Sequence, residues 1–136
     1  KTEIKREGYY DLGIVDTLLS KSSDTELFPI TFMFIRVRMG DRYFSRDAIF
    51  RIMDFIKGSM GKNHVTAELS KGYFVVIMYK TDLAAAEKTR EEMLSKWEAF
   101  SKGAELETVL REVVSTENPR NTFYHEKDRL LDLANW

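Results

Sequence analysis

The feature that most constrains this chain is the unbroken run Ile30-Thr31-Phe32-Met33-Phe34-Ile35-Arg36-Val37-Arg38. It is rich in β-branched and aromatic residues, lacks a helical period and follows Pro29, so it predicts a buried central strand. Its far end alternates, with Ile35 and Val37 on one side and Arg36 and Arg38 on the other.

The flanking segments read as helices and strands of ordinary length. Asp11 to Ser20 carries Leu12, Val15, Leu18 and Leu19 at helical spacing, and Lys21 to Glu26 is a polar loop. Ser45 suits the N-cap of a second helix, with Asp47 near its positive end. Ile49, Ile52, Met53 and Ile56 form its apolar stripe, Phe50 and Phe55 flank it, and Gly58 and Gly61 mark its exit. Val65 to Leu69, a turn at Ser70-Lys71-Gly72, and Tyr73 to Tyr79 make a hairpin. A long helix from Thr81 or Asp82 to about Phe100 places Leu83, Ala86, Arg90, Met93, Leu94 and Trp97 on one stripe. Gly103 breaks it, Leu106 to Val114 is a strand, Asn118-Pro119 is a turn, and Glu126 to Ala134 is a short closing helix. The apolar cluster Leu130, Leu131, Leu133 and Trp136 either docks on the domain or meets a neighbouring module.

The core order strand–helix–strand–strand–helix–strand predicts an α+β domain of ferredoxin-like arrangement, an antiparallel sheet with helices packed on one face. A length of 136 residues and 43% hydrophobic content suit one domain over 1–136 with a core of its own. Residues 1–10 open with charged side chains and read as linker-like, as in a domain excised from a longer protein.

Composition narrows the chemistry. Lys plus Arg is 21 and Asp plus Glu is 22, so there is no global field for nucleic acid or an anionic membrane. The absence of cysteine excludes a disulfide framework, a thiolate zinc site and a cysteine nucleophile, and it fits a reducing compartment. No apolar run is long enough to span a membrane, and Lys1 to Glu7 is charged with no apolar stretch after it, so a signal peptide is not expected within these residues. Neither a Gly-x-Ser-x-Gly elbow nor a phosphate-binding Gly-rich Lys-Ser/Thr loop occurs. His64 and His125 stand outside any ligand-spaced cluster, and Asp54 reads as a solvent-facing helix residue. No metal or cofactor is expected.

The stretch from Phe28 to about Phe100 resembles a GGDEF domain, the diguanylate cyclase module of bacterial signalling. The resemblance rests on Phe28 to Ile35 as its first strand, then Val65-Thr66-Ala67-Glu68-Leu69, the turn Ser70-Lys71-Gly72-Tyr73-Phe74, Val75 to Met78, and Thr81-Asp82-Leu83. In active members, the resemblance implies, an Asp ending the first strand and an acid of the hairpin hold divalent metal for attack on GTP. Here the strand positions are Arg36 and Arg38, and a guanidinium has no lone pair to offer a cation. Against the family letters Gly-Gly-Asp-Glu-Phe, Gly72 stands at the Asp position and Tyr73 at the Glu position. The guanine-recognising segment has no counterpart in Met39 to Phe44. Gly61-Lys62-Asn63-His64 replaces the Arg-x-x-Asp of the product-inhibition site.

The resemblance therefore implies a degenerate, catalytically inactive domain, cytoplasmic, with a regulatory or scaffolding role. Its partners would be other domains or proteins of a cyclic di-GMP signalling or exopolysaccharide secretion assembly, with no nucleic acid and no membrane contact by this segment. The alternative is a receptor for cyclic di-GMP or a related nucleotide, held by Arg36, Arg38, Arg42, Lys71 and Tyr73 in a basic cleft. The plainer reading of those cations is that they are solvated or locally paired. Tyr73 and Phe74 either stack a base or, by alternation, place one ring in the core and one in solvent.

Overall fold

The computed structural model describes residues 9–21, 25–38, 45–70, 72–101 and 103–132. Along the chain these form β1 (Tyr10–Asp11), α1 (Leu12–Ser20), a 3-10 turn at Thr25–Leu27, β2 (Ile30–Arg38), α2 (Arg46–Ser59), β3 (His64–Ser70) and β4 (Tyr73–Met78). α3 (Leu83–Phe100), β5 (Glu105–Val113) and α4 (Pro119–Asp132) complete the fold. The sheet order is β1-β3-β4-β2-β5. β2 runs antiparallel to both β4 and β5, and β3 runs antiparallel to β4, so the four long strands have the ferredoxin-like order. β1 adds a short parallel pairing to β3, Tyr10 to Ala67 and Asp11 to Glu68, which makes the sheet mixed.

Helices cover both faces of this sheet, and the expected one-sided packing is corrected. The reason lies in β2, whose two faces are both apolar and must both leave water. Met33, Ile35 and Val37 pack with Ile49, Ile52, Met53 and Ile56 of α2 and with Ala86, Met93 and Trp97 of α3. Ile30, Phe32 and Phe34 pack on the other side with Val15 and Leu19 of α1 and with Phe123 and Leu130 of α4.

Local signals set the element ends. Asp11, Ser45 and Asp82 each cap a helix, accepting from the backbone N–H of Ile14, Ala48 and Ala85 at 3.1, 3.1 and 2.8 Å. α4 starts at Pro119, well before the expected Glu126, because Asn118 accepts from Asn121 N–H at 3.0 Å and Pro suits the first helical position. Asn118-Pro119 is thus a helix start and not a free turn. Leu130 docks on the domain; Leu133, Trp136 and the side chain of Leu131 lie outside the described residues. On α3 the buried stripe is narrower than expected. Ala86, Met93 and Trp97 are buried, while Leu83 and Leu94 are 39% and 38% exposed, since the helix meets the sheet along one row only.

The linker-like reading of 1–10 gives way at its end. Tyr9 lies edge-on to Phe50 at 4.9 Å, its hydroxyl donates to the Asp54 carboxylate, and Tyr10 enters the sheet. Asp54, read as solvent-facing, is exposed but engaged by that tyrosine. No described helix is long and apolar enough to cross a membrane.

Candidate functional site

The candidate site lies where β2 leaves the core. Register places Arg36 between Tyr73 on β4 and Glu107 on β5, and Arg38 opposite Glu105. Because paired residues share a face, Arg36, Arg38, Tyr73, Glu105 and Glu107 all lie on the side covered by α4. Arg38 Nε donates to Glu107 Oε1 at 2.7 Å, a diagonal cross-strand pair. Arg36 forms no ion pair among the described residues and is half-buried beside Tyr73.

Tyr73 opens β4 just after Gly72, whose positive φ of 74° turns the hairpin. Val37 N–H donates to the Gly72 carbonyl at 2.8 Å, which ties the turn to the end of β2. The Tyr73 ring packs against Phe34 at 6.3 Å and is only 3% exposed. Burial pushes its hydroxyl well above the ordinary tyrosine range, the carboxylate of Glu126 adds to that, and the Arg36 cation opposes it. Glu126 reaches this place from α4 and is itself buried, gripped by Arg129 at 3.2 Å through Nε and 2.5 Å through Nη2. The expectation that one of Tyr73 and Phe74 meets solvent is corrected, since helices on both faces bury both rings.

The structure thus brings Arg36, Arg38 and Tyr73 together, while Arg42 and Lys71, and with them Met39 to Phe44, lie outside the described residues. An acid does survive on the hairpin at Glu68, but it faces α2, where Arg46 Nη1 holds both its oxygens at 3.0 and 3.1 Å. His64 Nδ1 sits 2.7 Å from the Gly61 carbonyl, and His125 is exposed on α4. Among the described residues, no three His, Asp or Glu side chains are grouped so as to hold a metal ion.

Three features went unread in the sequence. They are the Glu107 partner of Arg38, the Glu126–Arg129 pair on α4, and a groove of about 650 Å3 where α3 ends and β5 begins. The groove is lined by Trp97, Glu98, Glu105, Leu106 and Glu107 among others. Trp97 is anchored at its edge, donating from Nε1 to the Ala104 carbonyl at 3.0 Å. Phe55 and the 44% exposed Phe100 stack beside it, their centroids 4.6 Å apart. Acids alternating along β5 opposite the arginines of β2 were the legible sign of the first feature.

No protein-family model and no curated protein matches this chain. Solved structures do. The FimX GGDEF domain from Pseudomonas aeruginosa superposes with a TM-score of 0.73 at 13% identity, covering 94% of this chain and 91% of that one. The diguanylate cyclase SiaD from Pseudomonas aeruginosa, in complex with its activator SiaC, gives 0.68 at 11% identity over 90% of this chain and 54% of that one. The coiled coil and GGDEF domain of DgcB from Caulobacter crescentus, in complex with c-di-GMP, gives 0.65 at 9% identity, covering 87% and 72%. This chain has the GGDEF-domain fold.

Proposed function

We propose that this is a degenerate GGDEF-fold domain without cyclase activity, which acts in the bacterial cytoplasm through contacts with other domains or proteins. The assembly it serves is a cyclic di-GMP signalling or exopolysaccharide secretion complex. One observation carries the reading. At the end of β2 stand Arg36 and Arg38, with Arg38 engaged by Glu107 and the adjacent hairpin position filled by the buried phenol of Tyr73. Cations and a neutral phenol in that place repel or ignore a magnesium ion, and without it the attacking hydroxyl and the leaving pyrophosphate lose the metal that would activate and clamp them. SiaD, of the same fold, was solved with a protein bound to it, which supports a partner-directed role here.

A second reading, a nucleotide receptor, draws on the guanidinium of Arg36, which has no ion pair among the described residues, and on the c-di-GMP complex of DgcB. The first test is a product assay with GTP and magnesium or manganese, expected to show no cyclic di-GMP. Any turnover that scales with enzyme concentration refutes the non-catalytic reading.

A further inference from the structure

β5 is an outer strand: β2 covers one of its edges, and no described strand covers the other. Exposure follows from this. Thr31 to Ile35 on β2 are fully buried, whereas their registered partners, Glu112 to Thr108 on β5, are all half-buried. An open edge of nine residues presents a row of backbone N–H and C=O groups that another strand can pair.

We infer that the occupant of this edge is β5 of a second copy, paired antiparallel and centred on Thr108. Antiparallel strands match residues of like hydrogen-bonding direction, so a two-fold pairing is centred on one residue and neighbouring registers move that centre by one. Centred on Thr108, Glu105 faces Arg111 and Leu106 faces Leu110, each twice by symmetry. Centred on Glu107, that glutamate opposes itself. Centred on Val109, Leu106 opposes Glu112. The first register sets Glu107 opposite Val109, and the Val109-centred one sets Glu107 opposite Arg111, but the first alone joins a charge pair to a leucine pair.

The surroundings favour the same occupant. Glu105 is exposed and has no ion pair among the described residues. Alternate residues of a strand point to opposite faces, so a groove lined by Glu105, Leu106 and Glu107 opens along the strand's outer edge. The second copy would deliver its Arg111 and Leu110 at this mouth, the guanidinium beside glutamates and leucine against leucine. This inference goes beyond the non-catalytic reading and stands whether or not a nucleotide binds.

The test is sedimentation velocity of the full chain over a concentration series, without nucleotide, joined to hydrogen exchange of the β5 amides. The expected result is a concentration-dependent dimer whose β5 amides gain protection in step with dimerisation. Glu105→Arg turns both charged contacts repulsive and raises the dissociation constant about tenfold or more, and adding Arg111→Glu restores it. A chain that stays monomeric, or a dimer whose β5 amides exchange as in the monomer, overturns the inference. So does a double variant no tighter than Glu105→Arg. The wild-type exchange result decides the question even where Arg111→Glu, which also loses the contact to Glu117, lowers stability.

Discussion

Phe123 lies nearly parallel to Phe34, with ring centroids 5.8 Å apart and planes 18° from parallel, and meets Phe32 edge-on at 5.7 Å. All three rings are fully buried. α4 is therefore part of the second core and not an appendage to the sheet. Phe123→Ala is expected to destabilise the domain by about 3–5 kcal/mol, since the cavity it leaves is walled by a rigid sheet. Chemical denaturation of the variant reads this directly; a loss under about 1 kcal/mol means that α4 is not seated on the sheet.

Asp16 joins the two helices on this face. Its Oδ1 accepts from Tyr124 Oη at 2.9 Å and from Arg120 Nε at 2.8 Å. The Tyr124 hydrogen bond, then that of Arg120, holds the carboxyl below its ordinary value of 3.8. A lowered pKa means that the stabilisation is present above the unfolded value and is lost as pH falls through the folded one. Asp16→Asn should therefore flatten the acid side of a melting-temperature profile below about pH 4 and leave its shape near neutrality unchanged. An unchanged acid limb contradicts the assignment.

Tyr73 titrates with the opposite consequence. Burial raises its pKa above the ordinary 10.0, so its contribution is complete below that value and declines as pH climbs beyond it. Tyr73→Phe keeps the ring against Phe34 and removes the ionisable group, so the variant should lose less stability than the parent above about pH 10. Thermal melts from neutral to alkaline pH compare the two, and parallel curves argue against a buried phenol.

Nucleotide binding separates the two functional readings. A partner-binding module shows no rise in melting temperature with GTP or cyclic di-GMP. A receptor near 100 times its dissociation constant gains about 2.7 kcal/mol. If a shift is seen, Arg36→Ala with Arg38→Ala should abolish it. A shift that survives both changes places the ligand elsewhere. Arg38→Ala alone should alter stability by less than about 1 kcal/mol, because its bond to Glu107 joins two side chains that are each more than a third exposed.

Much of the fold was legible because its causes are local. The central strand, the hairpin and the Ser45 cap follow from short patterns of apolar, turn and capping residues. The cover on both faces was implied by Phe32 and Phe34 alternating with Met33 and Ile35, but the ferredoxin-like order pulled the reading toward one side. The start of α4 was missed because Asn-Pro serves equally as a turn and as a cap followed by the first helical residue. At the candidate site, the arginines could be read but their surroundings could not. The pairing of Arg38 with Glu107 and the approach of Glu126 to Tyr73 depend on register and helix docking between segments distant in sequence.

The seating of Phe123 on Phe32 and Phe34 also has a consequence in time. Synthesis proceeds from the N-terminus, so those two strand residues leave the ribosome long before the helix that shields them. Until residue 123 follows, the cover on that side of the nascent sheet comes, among the described residues, from Leu12, Val15 and Leu19 of α1 with Leu27 and Phe28 beside them. For that interval two bare phenylalanines invite the wrong neighbour, and release from the ribosome ahead of α4 would make the interval permanent.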